Sequence, residues 1–208
     1  PSVTMTNVRI QGNKTFSGAG VNNGGFGVFT VQDTPSFTGT ALLVRDNYAQ
    51  QNESGLSLRA GAAGNAFVLT NSAFVDNRAD GSISGLLLNA TGNYTVRNTT
   101  FSGNSSSVGG AVFVNINATA GVNAIVFENV TSARGSGGNL ALEVGSFGAG
   151  APSGTVTIKN TILGSGTSGI GFATVNLQTL GGVTYAVSNS LIENNSFGVP
   201  AGICGLNG

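Results

Sequence analysis

A five-residue cassette recurs seven times along this chain: apolar residues alternate with polar ones, and an Asn (once an Asp) closes the run. The copies are Val3-Thr4-Met5-Thr6-Asn7, Leu42-Leu43-Val44-Arg45-Asp46, Phe67-Val68-Leu69-Thr70-Asn71, Tyr94-Thr95-Val96-Arg97-Asn98, Ile125-Val126-Phe127-Glu128-Asn129, Val156-Thr157-Ile158-Lys159-Asn160 and Tyr185-Ala186-Val187-Ser188-Asn189. The closing residues lie 39, 25, 27, 31, 31 and 29 positions apart. Intervals of that size match one coil of a solenoid, not the strand spacing of a sandwich.

The fourth and second residues before each closing residue are apolar in every copy, and the one immediately before it is polar. A period of two with one wet face describes a half-buried β-strand. The 34 glycines among 208 residues argue further against helix. The closing Asn falls in the inward phase of the alternation, where an amide is costly unless its hydrogen bonds are made. Copies stacked about 4.8 Å apart would make them, each amide bonding the one above and the one below. The cassette therefore predicts an internal ladder of Asn7, Asp46, Asn71, Asn98, Asn129, Asn160 and Asn189. Asn also accepts the left-handed backbone of a tight corner. Asp46 can accept but not donate, so its rung is expected either to be the weak step or to face a compensating donor.

Six residues past each closing residue stands Asn13, Asn52, Asn77, Asn104, Gly135, Gly166 or Asn195. These are the residue types that take positive φ most readily, and they predict a second corner. Three past the closing residue the chain is usually apolar (Ile10, Ala49, Phe74, Phe101, Leu163, Ile192, with Ser132 the exception), which predicts a short second strand. Gly- or Ser-rich entries such as Ser54-Gly55-Leu56, Ser84-Gly85-Leu86 and Gly109-Gly110-Ala111 lead into a third. The expectation is an all-β, right-handed parallel β-helix of about seven coils with three short strands each, its hand following the crossover rule. It is read as one domain over residues 1–208, a rod roughly 30–35 Å long. Residues 14–39 are read as a long loop insertion in the first coil, and the chain as a mature subunit or a fragment.

Composition narrows the chemistry. Eight basic and eight acidic residues balance, so no basic patch is available for nucleic acid. No apolar run is long enough to span a membrane. With no His and a lone Cys204, neither His general-base catalysis nor an internal disulfide framework is available. No cofactor, metal or catalytic residue is assigned. The closest acidic set, Asp76 and Asp80 with Arg78, reads as a solvated turn, with a catalytic pair or a calcium site as the alternatives. Arg97, Glu128 and Lys159 occupy one outward column and should pair across coils. The outward Thr residues form too irregular a column for a regular ice-binding array. Uncapped solenoid ends and zero net charge point to end-to-end stacking of copies.

Phe101-Ser102-Gly103-Asn104 followed by Gly109-Gly110-Ala111-Val112 resembles the paired FxxN and GGA[ILV] motifs of the polymorphic outer-membrane proteins, which are autotransported bacterial adhesins. Phe74-Val75-Asp76-Asn77 with Ser84-Gly85-Leu86-Leu87 is a looser copy. Asn160-Thr161-Ile162-Leu163, Ser190-Leu191-Ile192-Glu193-Asn194-Asn195 and Ile203-Cys204-Gly205-Leu206-Asn207-Gly208 resemble bacterial surface proteins of the choice-of-anchor class. These resemblances imply an exported, surface-located β-solenoid with a structural or adhesive role. Its partners would be further copies of itself, or a cell-surface glycan or protein. A pectin-lyase-like carbohydrate enzyme and an ice- or glycan-binding module are the alternatives.

Overall fold

The computed structural model describes residues 2–16, 29–32, 34–50, 54–59, 64–81, 83–90, 92–116, 123–133, 136–140, 142–145, 153–164, 175–177 and 182–192. Within them the strands form four sheets, two of seven strands, one of six and one of five, and all the pairings are parallel. Neighbours within a sheet come from successive passages of the chain, which is the arrangement of a β-solenoid. Among the described residues there is no helix.

The first sheet holds Val3–Thr6, Ser36–Thr40, Ala66–Thr70, Asn93–Arg97, Asn123–Glu128, Gly154–Lys159 and Val183–Ser188. Six of these are the expected cassettes. The second is not. Val3 pairs with Phe37 and Thr6 with Thr40, so Phe37-Thr38-Gly39-Thr40-Ala41 takes the place expected for Leu42 to Asp46. Leu43–Arg45 instead joins the second sheet, between Arg9–Gln11 and Ala73–Val75. An exchange of volume explains the difference. Gly39 stands where the other copies have a larger apolar residue, and buried Leu42 takes the position held elsewhere by Val8, Ser72, Thr99, Val130, Thr161 or Ser190. A Cβ on Gly39 would lie 2.9 Å from both Leu42 Cδ1 and the Phe37 ring, so Leu42 fills the space that Gly39 leaves. With Ala41 as the corner the intervals become 34, 30, 27, 31, 31 and 29, more even than the cassettes implied.

Asn7, Ala41, Asn71, Asn98, Asn129, Asn160 and Asn189 all have left-handed backbone, with φ between 47° and 56°. Their N–H groups continue the inter-coil bonding: Asn7 donates to the Thr40 carbonyl, Ala41 to Thr70 and Asn71 to Arg97. A left-handed residue bends the strand and resets its phase, so the next side chain, not the Asn, turns inward. There the hydroxyls of Ser72, Thr99, Thr161 and Ser190 donate to the carbonyl two residues back at 2.8 to 2.9 Å, which satisfies them in the interior.

Ala is the one residue of this column without a side chain suited to that conformation, which costs a Cβ-bearing residue about 1–2 kcal/mol. Ala41→Asn should therefore raise stability by about 1 kcal/mol and the melting temperature by roughly 2–4 °C. Calorimetry showing no rise would mean that Ala41 is not held left-handed.

The second sheet turns one file inward: Ile10, Val44, Phe74, Phe101, Ser132, Leu163 and Ile192 lie in register. Ala49, expected in this file, belongs to the third sheet. The Phe74 and Phe101 rings stack at 4.8 Å, and Phe37, Phe67 and Tyr94 stack on the first sheet at 6.3 and 5.2 Å.

A third sheet follows, of Lys14–Thr15, Tyr48–Ala49, Arg78–Ala79, Ser105–Gly110 and Ser136–Leu140. The fourth holds Phe29–Gln32, Leu56–Arg59, Leu86–Ala90, Val112–Ile116, Leu142–Gly145 and Val175–Leu177. Three strands per coil is thus corrected to four sheets, because several strands of the third are too short to display an alternation. Residues 14–39 are not one insertion either: they contain Lys14–Thr15, Phe29–Gln32 and most of Ser36–Thr40.

Candidate binding surface

The two Asn columns exchange the roles expected of them. Asn7, Asn71, Asn98, Asn129, Asn160 and Asn189 are exposed. Asn98 Nδ2 donates to Asn71 Oδ1 and Asn129 Nδ2 to Asn98 Oδ1, both at 3.0 Å, so these amides form a file on the outer surface. The expectation of an internal ladder at these positions is overturned by the phase reset at the corner.

The internal ladder runs instead through the second corner. Asn47, Asn77 and Asn104 are buried, and Asn13 continues their file. Asn77 Nδ2 donates to Asn104 Oδ1 and to the Val44 carbonyl, both at 2.9 Å, while Asn77 Oδ1 accepts from Asn47 N at 3.2 Å and Asn47 Nδ2 at 2.9 Å. Asn47 likewise bonds the Ile10 carbonyl, and Asn104 the Phe74 carbonyl. The left-handed residue at this corner is the one before the amide: Gly12, Asp46, Asp76 and Gly103. In the second coil the ladder uses Asn47 where Asn52 was expected. Asn52, Gly135, Gly166 and Asn195 lie outside the described residues.

This geometry places nine residues in a grid on one face. Each row runs along the chain: Gly12, Lys14 and Phe16; Asp46, Tyr48 and Gln50; Asp76, Arg78 and Asp80. The rows are joined by strand pairing of Lys14, Tyr48 and Arg78 and by backbone bonds from Gly12 to Arg45, Gln50 to Thr15 and Asp80 to Ala49. Alternate residues face outward, so the small partners Ala49 and Ala79 point into the core. A shallow, open depression of about 470 Å³ lies over this face, lined by Lys14, Phe16, Asp46, Asn47, Tyr48, Asp76 and Arg78.

Its polar groups are fixed by their neighbours. Gln11 Nε2 and Arg45 Nε donate to Asp46 Oδ2 at 3.1 and 2.8 Å, which supplies the compensating donors that Asp46 needs. The Tyr48 hydroxyl donates to Asp80 Oδ2 at 2.6 Å, and Arg78 Nε and Nη2 both reach Asp80 Oδ1 at 3.0 Å. The hydrogen bond from Tyr48, reinforced by Arg78, holds the Asp80 carboxyl below its ordinary range. The same bond pushes the Tyr48 hydroxyl up. Asp80 is therefore a fixed acceptor near neutral pH and not a proton donor. The Arg78 guanidinium lies 5.8 Å from the centre of the Tyr48 ring, and the Phe16 ring is 5.8 Å from it at a tilt of 55°. Phe16 is 67% exposed. The set expected as a solvated turn, Asp76 and Asp80 with Arg78, thus forms one row of a structured face. Tyr48 and Phe16 were missed because each lies in or beside a two-residue strand that no periodicity marks.

On the first sheet, Arg97 and Lys159 flank Glu128 at 2.7 and 2.8 Å. The hydrogen bond from Lys159 outweighs partial desolvation and, with the charges of Lys159 and Arg97, holds the Glu128 carboxyl below its ordinary range. A depressed carboxyl contributes stability above its unfolded value and loses it as pH falls through the folded one. The stability difference between the native chain and Glu128→Gln should be small at neutral pH, since the trio is solvent-facing, and should vanish in acid. Melting temperatures measured from pH 7 to pH 2 check this.

Among the described residues no three His, Cys, Asp or Glu side chains are placed to hold a metal ion, and no helix is long and apolar enough to cross a membrane. Comparison with known proteins finds no matching family model, no matching curated protein and no matching solved structure.

Proposed function

We propose that this chain is a non-catalytic structural and adhesive β-solenoid, displayed outside the cell, whose flat sheet faces are its working surfaces. The observation that carries this reading is the self-sufficient interior. Among the described residues apolar stacks and the Asn47–Asn77–Asn104 ladder pack the interior, while the acids Asp46, Asp80 and Glu128 are held in ion pairs on the outside. The two seven-stranded sheets support a rod of seven coils, and the crossover rule supports a right-handed one. The FxxN resemblance supports an exported, surface location. The motif also has a physical basis here, since its Phe stacks inward and its Asn joins the ladder.

Copies stack end to end in this proposal. Val3, Met5 and Val8 in the first described rung, and Val183, Tyr185 and Val187 in the last, are only partly buried against the core, whereas their equivalents between them are mostly buried. Laying Tyr185 and Val187 of one copy under Val3 and Met5 of the next would continue the apolar columns of the first sheet. Such a head-to-tail contact does not close on itself and gives a fibre. Negative-stain microscopy across a concentration series tests this: rods should lengthen in steps of roughly 30–35 Å. Short particles of one size at every concentration would contradict it.

One observation favours a second reading. In the register of the structure the outward residues of the first three rungs are Thr4 and Thr6, Thr38 and Thr40, and Val68 and Thr70. This is a flatter hydroxyl array than the cassettes implied, and an ice-binding role would show as thermal hysteresis that Thr38→Lys abolishes.

A further inference from the structure

We propose that the grid centred on Tyr48 binds a neutral oligosaccharide, a ligand assignment that rests on the adhesive reading above. The face pairs two aromatic rings with fixed polar groups. Phe16 is exposed and offers its ring to the C–H-rich face of a pyranose, while Tyr48, with Arg78 over its ring, forms the adjoining wall. Around them Lys14 and Arg78 donate, and Asp46, Asp76 and Asp80 accept, at the edge where sugar hydroxyls would project. Because Gln11, Arg45, Tyr48 and Arg78 already hold Asp46 and Asp80, little side-chain entropy remains to be lost on binding.

Charge and size select the ligand class. The carboxylates of Asp46, Asp76 and Asp80 are matched by Lys14, Arg45 and Arg78, so the face has no net charge with which to attract an anionic or a cationic ligand. Three rungs at about 4.8 Å and alternate residues at about 6.6 Å give a grid of roughly 10 by 13 Å. That covers two linked hexose rings. A stable protein partner buries about 800 Å² on each side, several times what this grid offers.

The test screens the purified chain against immobilised neutral oligosaccharides (gluco-, manno-, xylo- and chito-series), with sulfated and uronic glycans alongside, and follows the best binder by calorimetry. Neutral glycans should bind with little salt dependence. Tyr48→Ala and Phe16→Ala should each weaken binding about tenfold or more. Neither should unfold the chain, since Phe16 is exposed and Tyr48 half-buried. Thr157→Ala, on the first sheet, should change nothing. Unaltered affinity in Tyr48→Ala and Phe16→Ala, salt-sensitive preference for the anionic glycans, or no neutral binder in the panel would overturn the assignment, while leaving the structural reading in place. Release of reducing ends from a bound glycan would do the reverse, ending the non-catalytic reading while keeping the site.

Discussion

Asn77→Ala should cost the protein on the order of 3–5 kcal/mol, whereas Asn98→Ala, at the neighbouring corner, should cost only about 1 kcal/mol. The two residues are the same type, and both bond to Asn partners in adjacent coils. Burial separates them. Removing the Asn77 amide leaves the Asn47 N–H and one Asn47 Nδ2 proton without partners in the interior. Each orphaned group costs about 1–3 kcal/mol, and the vacated volume adds to that. Asn98 is exposed, so water replaces its amide bonds, and what remains is the loss of a residue that tolerates φ of 48°. Urea midpoints compared at constant slope read the difference directly. Equal losses from the two substitutions would mean that the second-corner amides are hydrated.

Gly85→Ala should be at least as damaging, by about 3 kcal/mol or more, although only a methyl group is added. Gly55, Gly85 and Ala111 follow one another where the chain enters the fourth sheet. There Leu56 N donates to the Gly85 carbonyl and Leu86 N to the Ala111 carbonyl, both at 2.9 Å. A Cβ on Gly85 would sit 2.3 Å from the Ala111 carbonyl oxygen, and one on Gly55 only 1.7 Å from that of Gly85. Both obstacles are backbone atoms held in the sheet ladder, so neither can rotate away. Positive φ plays no part here; the coils simply approach too closely for a side chain. Gly64→Ala gives the contrast, since φ is +88° but its Cβ would meet nothing within 4 Å. Its cost should be confined to backbone strain of about 1–2 kcal/mol. Thermal melts of the three Ala variants should therefore rank Gly55 and Gly85 far below Gly64.

The parallel stacking was legible in the chain because the first sheet repeats at nearly even intervals with its apolar residues in two fixed columns. The departures from the expected register are local and have physical causes. At residues 37–46 the volume carried elsewhere by an apolar strand residue is moved from Gly39 to Leu42, so the strongest apolar alternation lies one strand too late. At every first corner a left-handed residue breaks the period of two, and extrapolating that period placed exposed Asn71, Asn98 and Asn129 inside. The FxxN motif carried the correct answer. In Phe74-Val75-Asp76-Asn77 and Phe101-Ser102-Gly103-Asn104 the Phe and the Asn are the two buried residues, on either side of a left-handed corner. The candidate binding face was half legible: its acids and Arg78 stand close in sequence, but Phe16 and Tyr48 reach them only through the stacking of three coils.

Exchange rates of the side-chain amide protons, measured by nuclear magnetic resonance, test the central claim most directly. The Nδ2 protons of Asn47, Asn77 and Asn104 should be strongly protected from solvent, because both protons of Asn47 and of Asn77 are bonded within the buried file. Those of Asn71, Asn98 and Asn129 should exchange orders of magnitude faster on the open surface. Protection of the second set with rapid exchange of the first would place the wrong amides inside and contradict the architecture proposed for this chain.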